Sequence, residues 1–350
     1  MKKQTYFLIL FGTLFLFCLS HTNVKAETSD KEVSITISAA GDCTFGSDRT
    51  SPAGTNFYSV YNRVNDNSYF FRKVSSVFKK DDLTIVNLEG TLSNRGQRAD
   101  KKYAFRGKPS YAKILKKGSI EAVSFANNHC RDYGEVSYQD TRSALEKHNV
   151  LYSSYGKTCI YHTKGKKVGM VAVNGLENYS TCKNLIQTGI KKLKNKKVDL
   201  IIVSIHGGIE YTSQPNETQK SLSYYAVQKG ANLVLGHHPH VLQGIEKYKG
   251  AYIVYSLGNF CFGGNTNPPD KDSMIFQQKF TFKGDKLQKK KSTAKVIPCS
   301  VSSRSDVNNY QPKTVKGTRY QKILGRLSQY SRPLGTSFRK ENGKRTNILK

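Results

Sequence analysis

Seven short apolar runs recur along the first three quarters of the chain, and each is soon followed by Gly, Asn or Asp. They fall at residues 33–40, 83–88, 122–125, 168–173, 200–205, 233–235 and 251–256. Runs this short, nearly continuous in apolar side chains, read as strands buried on both faces. Helical patterns separate them at 70–80, 110–117, 136–148, 183–195 and 217–229. That alternation predicts an α/β layered sandwich. Residues 274–282 and 294–298 read as later, antiparallel strands at a sheet edge.

In open α/β sheets ligands gather outside the carboxyl ends of the strands. The residues following each run therefore locate a candidate site. They include Asp42, Glu89, Asn128 with His129, and His206. The densest group is His237-His238-Pro239-His240, which closes the 233–235 run. Taken singly these features are ordinary: Gly-Asp makes turns, and Asn can cap the helix that follows. Together, at one end of successive strands, they point to a metal or catalytic site. Imidazole nitrogen suits Zn, Fe, Ni and Cu, and Mn in mixed N/O sets. If the segment stays extended, His238 and His240 share a side and His237 faces the opposite one. His237 is therefore left out of the expected ligand set.

The order of these motifs carries a resemblance. Gly41-Asp42, Asn87-Leu88-Glu89, Asn127-Asn128-His129 with Asp132-Tyr133-Gly134, and His206-Gly207-Gly208-Ile209-Glu210-Tyr211 come in sequence. Gly236-His237-His238-Pro239-His240-Val241-Leu242-Gln243 and Tyr255-Ser256-Leu257-Gly258-Asn259-Phe260 follow. From about residue 33 to 335 the chain resembles the CapA family of poly-γ-glutamate capsule-synthesis proteins. That family is similar to the calcineurin-like metallophosphoesterases. The resemblance implies a four-layer αββα metallophosphoesterase-like sandwich holding one or two divalent ions, Mn, Fe or Zn. Carried over, Asp42 and His240 would serve a first metal, and Asn128, His206 and His238 a second. Glu89 would bridge them. His129 would be a general acid oriented by Asp132, and two ions would clamp the reacting group and acidify a water. Three positions depart from the phosphoesterase pattern: Thr44 stands where a histidine ligand is usual, Glu89 replaces a shorter Asp, and Gly207 replaces an aromatic. Arg106, Arg131 and Glu210 are the expected substrate-binding residues, with Lys101 and Lys102 nearby; Glu210 could instead support His206.

The expected context is extracytoplasmic. Lys2 and Lys3 precede a 14-residue apolar stretch from Tyr6 to Leu19, ahead of a Val24-Lys25-Ala26 cleavage-type site. That stretch is short for the ~20 residues of a membrane span. It reads as a signal over 1–26, with an uncleaved anchor as the alternative. Removing it lowers the formal charge from +31 to +28, through loss of Lys2, Lys3 and Lys25. A field of that sign attracts polyanions, yet no nucleic-acid motif accompanies it. The expected partner is an anionic polymer, poly-γ-glutamate or a wall polymer, with a membrane-bound capsule synthase and no nucleic acid. Cys43, Cys130, Cys159, Cys182, Cys261 and Cys299 are read either as disulfides or as small buried residues. One domain is expected over 27–300, completed at 301–335 by a docked helix bearing Ile323, Leu327 and Tyr330. A disordered basic tail is expected at 336–350, and a long loop at 46–68. The leading function is metal-dependent hydrolysis or transfer in synthesis, anchoring or processing of the polymer. A non-catalytic scaffold and a general wall phosphoesterase are the alternatives.

Overall fold

The computed structural model describes residues 32–350; the expected signal at 1–26 lies outside the described residues. The fold is mixed α/β, built on two large sheets. The strands used below are β1 (Glu32–Thr44), β2 (Leu83–Leu88), β3 (Ala122–Ser124), β4 (Leu151–Ser153), β5 (Cys159–Thr163), β6 (Lys166–Asn174), β7 (Leu200–His206) and β8 (Leu233–His237). After them come β9 (Ile245–Tyr248), β10 (Ala251–Val254), β11 (Asn259–Phe262), β12 (Asp272–Lys283), β13 (Thr293–Ser300), β14 (Phe338–Glu341) and β15 (Lys344–Leu349). The eleven-stranded first sheet runs β14-β15-β13-β12-β1-β2-β3-β4, with β11 also paired to β1. The six-stranded second sheet runs β9-β10-β8-β7-β6-β5. The strand sets β1 to β4 and β10-β8-β7-β6 are internally parallel. Their carboxyl ends therefore share a direction within each sheet.

Alternation along β1 explains how the layers meet. Ile35, Ile37 and Ala39 join Met170, Ile202, Leu233 and Leu235 of the second sheet in one apolar cluster between the sheets. Ala40 and Cys43 face the opposite way, into a cluster with helices α1 (Phe57–Val64), α2 (Ala112–Lys117) and α3 (Gly134–Lys147). Val171, Val203 and Val234 on the second sheet's outer face pack under α4 (Tyr179–Asn195) and α5 (Glu217–Lys229). A capping box between Asn216 and Gln219 starts α5, satisfying two of its orphan backbone donors.

Four expectations need correction. Residues 46–68 are not simply a loop: they carry α1, capped by Asn56 and anchored by buried Phe57 and Val60. The helix expected at 70–80 contracts to Ser75–Phe78, with turns around it. Strand β12 is interior, because it pairs with β1 along nine register positions and with β13 on its other side. The edge is instead formed by the tail. Residues 336–350 are a hairpin, β14 with β15, rather than disordered chain. Lys295 pairs Ile348, and Phe338 and Leu349 are buried in the cluster between the sheets. Their apolar side chains outweigh the basic composition. The helix at the carboxyl end, α6 (Gly317–Ser331), buries Ile323, Leu324 and Leu327 in that same cluster. All six cysteines among the described residues are buried free thiols.

Candidate metal centre

The site forms where two rows of strand ends face each other. In the first sheet, Asn259, Asp42, Asn87 and Ser124 lie in register across β11, β1, β2 and β3. In the second, Asn174, His206 and His237 lie in register across β6, β7 and β8. Asp42 reaches the facing row through a β-bulge: β1 advances three residues from Ala39 to Asp42 while β2 advances two, from Ile85 to Asn87. An extra residue re-aims the next side chain, turning Asp42 inward and Cys43 outward. Gly41 permits this, because a Cβ there would stand 1.8 Å from the Gly258 carbonyl oxygen.

Asp42 is fully buried and touches three histidines. Its Oδ1 is 3.4 Å from His237 Nδ1 and its Oδ2 is 3.3 Å from His240 Nδ1. Asn87 Nδ2 donates to Oδ1 (2.9 Å), and the His238 backbone N–H donates to Oδ2 (3.3 Å). Burial opposes ionisation of Asp42, but hydrogen bonds and charges from His237 and His240 overcome it and hold its pKa well below the usual range. Glu89 meets the opposite balance. Burial, with Asp42, Asp132 and Glu210 around it, lifts its pKa well above normal against the pull of His240. Neither oxygen of this fully buried carboxylate has a hydrogen-bond partner.

The histidines divide by environment. Burial and the neighbouring imidazoles hold His206 well below its usual pKa. His206 Nδ1 accepts from Asn87 Nδ2 (3.2 Å) and Nε2 lies 2.9 Å from Asn128 Oδ1, which fits a neutral ring protonated on Nε2. Burial and His240 push His238 down to about 4. For His240, burial works against charge, but Glu89 and Asp42 outweigh it and raise the pKa to about 9. Its Nδ1 also meets Asn259 Oδ1 at 2.9 Å. His129 is lowered, chiefly by burial, although Asp132 pulls the other way. His129 Nδ1 is 2.6 Å from Asp132 Oδ2 and its Nε2 is 3.7 Å from Glu89 Oε1. Lys101 Nζ donates to Asp132 Oδ1 and to the Asn128 carbonyl, both at 2.9 Å.

These residues fit a divalent cation. Glu89 has two orphaned oxygens, and His237 Nε2 and His238 Nδ1 have no partner. Buried polar atoms without partners are rare and costly, and a cation would satisfy them. Two sets of ligand atoms, each within 4.8 Å of one another, could hold an ion: Asp42, Glu89 and His206, and Glu210, His238 and His240.

The structure thus gathers Asp42, Glu89, Asn128, His129, Asp132, His206, His238 and His240 at one place. It groups them differently from the family pattern, because Asp42 falls with His206, and Glu210 with the last two histidines. Glu210 also lines the cavity of about 270 Å³ beside His129 and His240. Arg106 and Arg131 do not line it. The Arg106 guanidinium stacks on Tyr133 (3.9 Å), and Arg131 stacks on Tyr138 (4.1 Å) while donating to Glu135 Oε2 (2.9 Å). His237, left out of the expected set, stands against Asp42 instead. The extended-chain argument fails because His238 takes φ +97° and His240 φ +58°, conformations rare outside glycine. Strand alternation itself carries the signal: His237 continues the inward series Leu233, Leu235. Asn87 and Asn259, also unassigned from sequence, sit inside motifs already marked by their neighbours.

Fold and site together define a mixed α/β protein with a buried, histidine-rich candidate metal centre at its strand ends. The chain belongs to the family described as bacterial capsule synthesis protein PGA_cap, which residues 36–264 match. It is 31% identical over 250 residues to capsule biosynthesis protein CapA of Bacillus anthracis, covering 64% of this chain and 60% of that protein. It is 31% identical over 216 residues to PGA biosynthesis protein CapA of Bacillus subtilis (strain 168), covering 55% and 56%. A Mycobacterium tuberculosis protein named "Probable polyglutamine synthesis accessory protein" is 25% identical over 210 residues, covering 51% and 55%. The matches thus span less than two thirds of these relatives' own length.

Proposed function

We propose that this chain is an extracytoplasmic, metal-dependent hydrolase or transferase acting on an anionic polymer of the poly-γ-glutamate type. Its place would be in capsule synthesis, anchoring or processing, on a four-layer αββα scaffold of the metallophosphoesterase kind. The observation that carries the reading is Glu89, a buried carboxylate with no hydrogen-bond partner among Asp42 and the histidines. The family and the relatives' named roles in capsule and PGA biosynthesis supply the substrate class.

Asp42, Glu89, His206, His238 and His240 would hold the ion or ions, with Asn128, His237 and Glu210 at hand. A divalent ion bound there would supply Lewis-acid activation of a carbonyl or phosphoryl oxygen and a water acidified toward neutral pH. The rest falls to the protein. His129 Nδ1 is committed to Asp132, so Nε2 is the atom that exchanges a proton with the reacting group. Asp132 fixes the ring, and it is held in turn by Lys101 and by the Phe105 backbone N–H (2.6 Å). Burial of His129 against Phe105, with ring centroids 4.4 Å apart, keeps water from competing for that proton. With Nδ1–H held by Asp132, Nε2 would take a proton from the attacking water or acceptor as the new bond forms, and pass it to the amine or alkoxide that departs as the old bond breaks.

The test is chain-length analysis of poly-γ-glutamate incubated with protein and added Mn, Fe or Zn. Shortening or transfer is expected, and His129→Asn should slow it by about 10²–10⁴-fold with metal content unchanged. Turnover of a phosphodiester reporter with intact polymer would favour a wall phosphoesterase. Polymer binding without any turnover would favour a second reading, a non-catalytic accessory role, to which the mycobacterial relative's name lends support.

A further inference from the structure

Tyr211 belongs to two cavities. On one side it helps line the opening beside His129 and His240, its ring centroid 6.3 Å from that of His240. On the other it lines a wider cavity of about 950 Å³, bounded by α6 and by the segment entering β12. Val241, the residue after His240, lies in the wall of this second cavity. The two spaces are thus neighbours across one side chain, and that side chain is 63% exposed. The backbone holds it there: the Tyr211 N–H donates to the Pro239 carbonyl (2.8 Å), and its φ of +60° fixes the turn.

The wider cavity carries a surplus of cations. Arg326 donates to Asp270 (2.7 Å) and Asp272 (2.6 Å), and Arg319 donates to Asp272 (3.1 Å). Both arginines are committed and both acids neutralised. Two lysines of the lining remain. Lys271 Nζ donates to the neutral Asn267 Oδ1 (2.6 Å). Lys322, exposed on α6, has no acid in ion-pair distance among the described residues. The arginine–aspartate lattice therefore serves as a rigid floor, with the net positive charge left on Lys271 and Lys322. Charge of that kind, next to an aromatic face that can lie against a planar amide, suits a chain of amide-linked units that each bear a carboxylate.

We propose that this cavity is a distal subsite for an acidic polymer whose reacting segment lies at the metal centre. The chain crosses Tyr211, and Lys322 with Lys271 holds a carboxylate of a unit beyond it. The proposal rests on the polymer reading above and adds the direction in which the chain leaves the centre. It makes affinity depend on length, because a short oligomer at the metal centre does not reach α6 while a longer one does.

Binding of a length series of poly-γ-glutamate, from the dimer to long chains, tests this with wild type, Lys322→Glu and Lys191→Glu. Lys191 is exposed on α4, in another part of the fold, and its reversal changes the net charge equally. Lys322→Glu is expected to weaken long chains about tenfold and to leave the dimer within about twofold. Lys191→Glu should track wild type at every length. The subsite is overturned if Lys322→Glu binds long chains as wild type does, or if Lys191→Glu loses as much. Either result leaves the polymer reading standing. Wild type that binds no chain of any length removes both.

Discussion

Glu89 concentrates the energetics of the site. A buried carboxylate without donors costs several kcal/mol, and here Asp42, Asp132 and Glu210 add repulsion. Without metal, Glu89→Gln should therefore raise stability, by about 1–3 kcal/mol, while metal affinity falls. Denaturation of both proteins in chelator, followed by metal titration, checks the two effects. A variant that is less stable in chelator would show that the carboxylate is already satisfied by the protein. Much at this level was legible in sequence, since Asp42, Glu89, Asn128, His129, His206, His238 and His240 all follow apolar runs. What was not legible depends on backbone geometry. The turn at His238 and the bulge that aims Asp42 leave no compositional mark, so an extended reading points His237 away from the site. Arg106 and Arg131 are placed by another effect: the rings of Tyr133 and Tyr138 compete for their guanidinium groups, and the sequence does not show which ring lies near.

Strand positions could be read because buried parallel strands leave nearly continuous apolar runs, and six of the seven run ends fell within two residues of those observed. Position within a sheet could not, because β12 alternates like an edge strand and its second neighbour comes from residues far along the chain. The tail illustrates the same gap. Five basic residues obscure Phe338, Ile348 and Leu349, which close the first sheet. Deleting residues 336–350 should cost about 3–5 kcal/mol, the burial of two large apolar side chains, read as a lower urea midpoint. A shift below about 1 kcal/mol would mean that the hairpin does not pack. At the other end of the strands, burial and Asp81 raise Glu121 to about 7, and burial raises Asp81 to about 6. The folded protein keeps protons there that the unfolded chain releases near pH 4, so stability falls as pH rises from about 4.5 to about 7. Glu121→Gln retains an acceptor for the Thr84 N–H. It should flatten that fall and add about 1 kcal/mol at neutral pH, after discounting for solvent screening. An unchanged stability profile would count against the raised Glu121 pKa.

For the molecule as a whole, two sheets place their polar strand ends face to face while apolar residues seal the space between them. A formal charge of +31 favours acidic chains electrostatically, and on the proposed reading the paired rows of strand ends are where such a chain would react. The proposed chemistry depends on those rows holding a divalent ion. The direct measurement is metal per chain in protein purified without chelator, by elemental analysis, for wild type, Asp42→Ala and His238→Ala. The account predicts one or two equivalents of Mn, Fe or Zn in wild type and a loss in both folded variants. Wild type without metal above background, or variants that retain the full amount, would contradict it.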